Sequence, residues 1–260
     1  MKKVNSRGLD YYIFDQEPFS KIPHGFFTRN GGVSPEPWES LNLSTTGGDS
    51  KENVVKNRNR IFESIGRPVN SVFDTWQIHS TKIIEAKNPR GLENEPDKAD
   101  GILTAQAGLT LFMRFADCVP VLFYDPIRHV IGIAHAGWKG TVNGIVKKMV
   151  KSMVKDHGSK PSDIKAGIGP CICKKHYLIK DDVLLKVQSH FPKDWQQIIT
   201  IEGEKMHFDL VLANKILLEK EGLLDILASN ICTACDTQEW FSHRAELGTT
   251  GRFGTFIALV

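Results

Sequence analysis

The chain has 260 residues, 41% hydrophobic, 9% aromatic and 24% charged, with a formal net charge of +3. A chain of this size hides about 70–75% of its unfolded surface and needs no disulfide staples. There is no run of about 18 apolar residues for a membrane span, no apolar stretch with a cleavage site near the start for secretion, and no concentrated basic face for nucleic acid.

In chain order, the first strong feature is Asn30-Gly31-Gly32 in "HGFFTRNGGVS", a hairpin or turn signal. Arg29 stands just before it and is in reach of a cleft. A helix is expected over 50–65, capped by Asp49 or Ser50 and stopped by Gly66. Strands are expected over 72–78, 81–86, 109–115, 119–124 and 130–134, with Asp125-Pro126 turning between the last two. The clearest helical period follows over 141–156: Val142, Ile145, Val146, Met149, Val150, Met153 and Val154 fall on one stripe. Lys147, Lys148, Lys151 and Lys155 lie opposite that stripe as a solvated face. A strand over 165–168, helices over 181–191 and 209–221, and strands over 226–231 and 254–260 complete the reading. Strands that are adjacent in some places and alternate with helices in others indicate an α+β fold with a mixed sheet. No linker, repeat or low-complexity tract divides the chain, so one compact domain over 1–260 is expected.

Three residues stand where predicted strands give way to loops: His79 in "WQIHS", Cys118 in "ADCVP" and His135 in "VIGIAHAGW". Two imidazoles and one thiolate suit a zinc ion with a fourth position open to water or substrate. They are far apart in sequence, so no short zinc-finger spacing supports them, and each also reads as a core residue. Beyond His135, "AHAGWKGT" runs into the helix expected from Thr141. Its glycines allow close backbone approach, Lys139 adds charge, and a helix start offers free amides to an anion. In "FSHRAELGTTGRFG", Arg244 and Arg252 with nearby hydroxyls and glycines suit phosphate or carboxylate, although a polar hairpin reads equally from the same residues. The five cysteines read as free thiols. Cys171-Ile172-Cys173 with Cys232-Thr233-Ala234-Cys235 is a possible second zinc site, but one intervening residue in the first pair is poor spacing.

"HGFFTRNGGVS", "SLNLSTTGGD", "WQIHS", "ADGILT", "ADCVPVLFYDP", "AHAGWKGT", "GIGPCI", "FDL" and "FSHRAELGTTGRFG" occur in that order from His24 onward. Together they resemble the YfiH/LACC1 family, once labelled laccase-like polyphenol oxidases and now regarded as purine nucleoside phosphorylases. The resemblance implies a layered α/β/β/α domain and a zinc site at His79, Cys118 and His135. It also implies phosphorolysis of adenosine, inosine, guanosine and 5′-methylthioadenosine, with deamination of adenosine. Asp117 or Asp100 is then a candidate proton carrier. Lys139, the helix start at Thr141, Arg29 and Arg244 are candidates for the phosphate. "FSHR" departs from many relatives, which carry an aromatic residue where His243 stands.

Three other readings compete: a copper-dependent polyphenol oxidase, a metal-free hydrolase with Cys118 as nucleophile, and a zinc-stabilised binding module. None of the nine histidines forms the His-x-His pair that a trinuclear copper cluster uses, whereas a two-His, one-Cys set does match a single blue-copper ligand group. Purine nucleosides and phosphate are the expected partners, with a cytoplasmic monomer as the expected state.

Overall fold

The computed structural model describes residues 1–91 and 95–260. The chain opens with β1 (Lys2–Ser6), β2 (Leu9–Ile13) and β3 (His24–Phe27), then α1 (Lys51–Ser64). Next come β4 (Val72–Asp74), β5 (Ile83–Glu85), β6 (Gly101–Thr104), β7 (Thr110–Phe115), β8 (Val119–Asp125) and β9 (Val130–Ala136). Helices α2 (Trp138–Val142) and α3 (Ile145–His157) lead to β10 (Lys165–Ile168), β11 (Leu178–Ile179), α4 (Asp181–His190) and α5 (Trp195–Ile198). The hairpin of β12 (Ile199–Glu202) and β13 (Lys205–Phe208), helix α6 (Leu210–Lys220), β14 (Asp225–Ala228) and β15 (Phe253–Ala258) complete it. Among the described residues no helix is long and apolar enough to cross a membrane.

Two six-stranded mixed sheets form the centre, in the orders β1-β2-β3-β15-β7-β4 and β14-β10-β8-β9-β6-β5. The central strands β7, β8, β9 and β15 are buried at nearly every position, because both of their faces are covered. Alternation shows how. In β7, Leu111, Met113 and Phe115 join one buried cluster with Ile257 of β15 and with Leu122, Ile131 and Ile133 of the other sheet. Phe112, one residue out of step, joins Ile61 and Phe62 of α1 instead. In the second sheet Val119, Val121 and Phe123 of β8 and Ala134 of β9 turn the other way, onto Ile145, Val146, Met149 and Met153 of α3 and Leu210 and Leu218 of α6. The layers therefore run helix, sheet, sheet, helix, in one α+β domain of the expected kind.

Some boundaries differ for physical reasons. The helix expected over 141–156 is two helices: Gly144, at φ 76°, takes the left-handed conformation that glycine tolerates and separates α2 from α3. Thr141 is therefore inside a five-residue turn and not at a helix start. The strand expected over 72–78 ends at Asp74, and that expected over 81–86 is Ile83–Glu85. Asn30-Gly31-Gly32 makes no hairpin. It is a loop after β3, pressed so close that a Cβ on Gly32 would stand 2.1 Å from the Ser40 carbonyl oxygen.

Candidate metal centre and its cavity

The period-two rule carries His135 to its place. It follows Ile131 and Ile133 on the same face of β9, so it points between the sheets but at the end of the strand, where the apolar layer stops. Its ring packs on Phe115, with centroids 5.4 Å apart. Cys118 closes the connection between β7 and β8, directly after Asp117, which turns the chain at φ 76°. His79 lies in the loop after β4, itself at φ 58°, a conformation that histidine adopts more readily than most residues. The ligand atoms of His79, Cys118 and His135 all lie within 4.8 Å of one another. Cys118 Sγ is 3.9 Å from His79 Nε2, and the two rings stand edge to face with centroids 4.9 Å apart.

Asp100, fully buried, organises two of the three. Its carboxylate accepts from the backbone N–H of Ile78 (3.2 Å), His79 (3.0 Å) and Ser80 (2.6 Å), from the Ser80 hydroxyl (2.7 Å) and from His135 Nδ1 (2.8 Å). That last bond fixes the His135 tautomer and leaves its Nε2 free as a donor to metal. Burial works to raise the Asp100 pKa, but His135 and Ser80 hold it below the ordinary carboxylate range. Burial likewise works to raise the Cys118 thiol, yet the charge of His135 and hydrogen bonds from both histidines bring it down to about 6. His135 is the complement: burial lowers it, while the Cys118 thiolate and the Asp100 carboxylate lift it to about 9. The metal-free pair is thus a thiolate beside an imidazolium: the sulfur is already deprotonated as ligation requires, while His135 Nε2 gives up its proton when a metal binds.

The fit to a metal ion is visible in the backbone too. Gly137 follows the centre, and a Cβ there would lie 2.8 Å from Cys118 Sγ and 3.1 Å from His79 Cδ2. Two imidazoles and a thiolate, with glycine making room for them, could hold a divalent cation with one position left open.

A cavity of about 310 Å³ opens on the centre, at the lower end of the range for small-molecule sites. Its walls include Leu43, Ser44, Thr45 and Thr46 from the loop before α1, Trp76 and Gln77 beside His79, and Arg114, His243 and Arg252. Trp76 is 45% exposed, an aromatic face at the edge of a polar hollow. Arg114, one residue from the end of β7, donates to the Thr75 carbonyl (2.6 Å) and stands 3.9 Å from Asp74. Arg252 donates to the carbonyls of Thr250 (3.2 Å) and Gly251 (2.8 Å), and among the described residues it has no carboxylate partner. Burial, then the charge of Arg252, lowers the pKa of His243, so its ring is neutral at pH 7.

The other expected residues lie elsewhere. Asp117 is held by the Thr233 hydroxyl (2.7 Å), the Ser242 hydroxyl (2.7 Å) and the Arg244 amide (2.6 Å), which ties the Cys118 turn to two later loops. Arg29 is spent on the carbonyls of Glu39 and Thr237 and on Glu246 (2.9 Å), stacked 4.5 Å over Phe241. Lys139 is exposed on α2 over Trp138. Thr141 is fully buried and bonded to Asn214 and Ala136. The Arg244 side chain turns away, to the Leu178 carbonyl (2.9 Å) and the Tyr177 ring. None of these five lines the cavity. Arg114 went unread because it sits in the apolar run "TLFMRF". Of the two arginines that the sequence offers in "FSHRAELGTTGRFG", Arg252 lines the cavity and Arg244 does not.

A two-His, one-Cys cluster at the rim between two packed sheets, opening on a cationic pocket, defines a candidate metalloenzyme of the four-layer α+β class. The family described as multi-copper polyphenol oxidoreductase laccase matches residues 23–260. Purine nucleoside phosphorylase YlmD of Bacillus subtilis is 37% identical over 244 residues, 90% of this chain and 87% of that protein. Purine nucleoside phosphorylase of Deinococcus radiodurans is 36% identical over 242 residues, 93% and 91% of the two chains. The crystal structure of YlmD from Geobacillus stearothermophilus superposes with a TM-score of 0.93 at 32% identity, covering 99% of this chain and 97% of that one. The chain belongs to the YfiH/LACC1 family.

Proposed function

We propose that this protein is a zinc-dependent purine nucleoside phosphorylase acting on adenosine, inosine, guanosine or 5′-methylthioadenosine with inorganic phosphate. The observation that carries the reading is the partly buried Arg252 guanidinium, without a carboxylate partner among the described residues, facing the same cavity as the two-His, one-Cys cluster. The names of the Bacillus and Deinococcus relatives support it.

In phosphorolysis a phosphate oxygen forms a bond to the ribose C1′ while the C1′–N9 bond breaks. The purine leaves with that electron pair and takes up a proton. Arg114 and Arg252 supply the fixed positive charge that holds a phosphate in the cavity, in place of the arginines and lysine first expected. Ser44, Thr45 and Thr46 offer hydroxyls to the ribose, and Trp76, Leu43 and Val54 offer apolar surface to the base. His243, neutral at pH 7, exchanges a hydrogen bond with the departing base. Asp100 and Asp117 work as positioning residues: each carboxylate is engaged by several fixed donors, which leaves little capacity to carry a proton.

His79, Cys118 and His135 would hold the zinc ion, and when bound such an ion supplies Lewis-acid chemistry. Zinc is favoured over copper on the donor set: the trio has no His-x-His partner for a second copper, and no methionine lines the cavity among the described residues. The open three-donor set also suits hydrolytic deamination of adenosine, in which water replaces the exocyclic amine and ammonia leaves.

Incubation with adenosine, with and without phosphate, tests both. Adenine and ribose-1-phosphate formed only with phosphate support phosphorolysis, and inosine in either arm supports deamination. Adenosine unchanged in both arms, with phenols oxidised by a copper-loaded protein, overturns the proposal.

A further inference from the structure

A second group of metal-ligating side chains lies outside the cavity: Cys173, His176, Cys232 and Cys235, whose donor atoms all fall within 4.8 Å of one another. Its origin is topological. β10 and β14 are parallel neighbours, so the chain leaves both at the same end of the sheet. A bridge between Cys171 and Cys232 continues their pairing past the strands. Beyond it, a short 3-10 turn over Lys174–His176 returns His176 onto Cys173, and a turn whose Cys235 amide bonds to the Cys232 carbonyl returns Cys235 onto Cys232. The working pairs are thus Cys173-x-x-His176 and Cys232-x-x-Cys235, both with the two-residue spacing of zinc sites. In the sequence Cys173 pairs naturally with Cys171, whereas the fold sets it with His176. Cys171 is instead buried in the core and is not one of the group's donors.

The nitrogen-to-sulfur distances suit a tetrahedral site. His176 Nδ1 lies 3.5 Å from Cys173 Sγ, 3.8 Å from Cys232 Sγ and 3.4 Å from Cys235 Sγ. Zinc bound at about 2.3 Å by sulfur and about 2.0–2.1 Å by nitrogen sets sulfur and nitrogen about 3.6 Å apart at a tetrahedral angle. The backbone amide of Cys173 also donates to Cys232 Sγ at 3.2 Å, which fixes the two loops against each other.

We propose that Cys173, His176, Cys232 and Cys235 bind a second zinc ion as a closed structural site. Four protein donors leave no position for substrate, so the ion cross-links two loops and takes no part in turnover. One of those loops meets the turn behind the first centre: Thr233, between the two cysteines of the second pair, bonds to Asp117 beside Cys118, while the carbonyl following the 3-10 turn, at Leu178, accepts from the Arg244 side chain. The site therefore braces the turn that presents Cys118 from behind. This assignment does not depend on which reaction the cavity performs.

Zinc content of protein purified under reductant, without chelator or added metal, tests it. About two zinc ions per chain are expected, one for each cluster. Cys118→Ala keeps one, Cys235→Ser keeps one, and the double variant keeps none. Because Cys235→Ser can itself disturb folding, a second measurement leaves the new cluster intact: Cys118→Ala protein reloaded with cobalt alone develops a thiolate-to-cobalt absorption band, since three other thiolates remain to bind it. A single zinc in the wild type that vanishes with Cys118, or no such band in Cys118→Ala, overturns the proposal.

Discussion

Replacing Gly137 by alanine adds one methyl group at the metal centre and changes nothing else. At φ −67° and ψ 171° Gly137 is in extended backbone that alanine adopts freely, so the backbone gains about 0.4–1 kcal/mol from a stiffer unfolded chain. The new Cβ meets Cys118 Sγ at 2.8 Å and His79 Cδ2 at 3.1 Å. Non-bonded heavy atoms settle at about 3.5–4.0 Å, so the sulfur must retreat by roughly 0.7 Å. Metal–ligand lengths tolerate only about 0.2 Å. Overpacking of this kind costs about 1–3 kcal/mol, which the backbone gain partly offsets, so the fold survives. Zinc affinity is expected to fall by about 10–100-fold, the range seen when a ligand is misaligned by loss of its support. Competition against a chromogenic chelator reads the affinity, and thermal unfolding of the metal-free protein reads the fold. Wild-type zinc affinity in Gly137→Ala would refute the placement of the ion between these side chains.

Other outcomes follow from the same geometry. Asp100→Asn keeps the shape but loses the charge that orients His135 Nε2 outward, so zinc affinity drops by about 10–100-fold; an unchanged affinity in competition titration counts against that role. Arg252→Gln raises the KM for phosphate about 10-fold or more with a smaller change for nucleoside, whereas Lys139→Ala, exposed on α2, alters neither; steady-state kinetics with each substrate varied separates them, and the reverse pattern removes Arg252 from the anion site. In metal-free protein, Cys118 is depressed to about 6, so its thiolate is present above that pH and is lost as the pH falls through it. Alkylation by iodoacetamide should accordingly decline below about pH 6 and be blocked by zinc; a rise only near the ordinary thiol range, about 8.5, would show that His135 does not stabilise the thiolate.

Elements held by local pattern were the legible ones. The stripe from Ile145 to Met153 reads directly as α3, because its apolar spacing is set by one buried face. Its start was misplaced because the break at Gly144 depends on a single left-handed residue that apolar periodicity does not register. β1 was unreadable for the opposite reason: Lys2, Lys3 and Asn5 are exposed on an edge strand, so no apolar alternation marks it. At the centre, His79, Cys118 and His135 stood out as reactive types at strand ends. The task of Asp100 depends on hydrogen bonds with residues up to 35 positions away, which no local motif encodes. The anion candidates suffered most. Arg29 and Arg244 have the right chemistry, but tertiary contacts with Glu246 and the Leu178 carbonyl commit them elsewhere.

Cys118→Ala provides the most direct test of the account, because the cysteine supplies the one thiolate of the trio. Phosphate-dependent release of adenine from adenosine is measured alongside circular dichroism and zinc content. The account predicts a folded protein that has lost the zinc at this centre and its nucleoside turnover together. Adenine release at the wild-type rate from a variant lacking that zinc would contradict it.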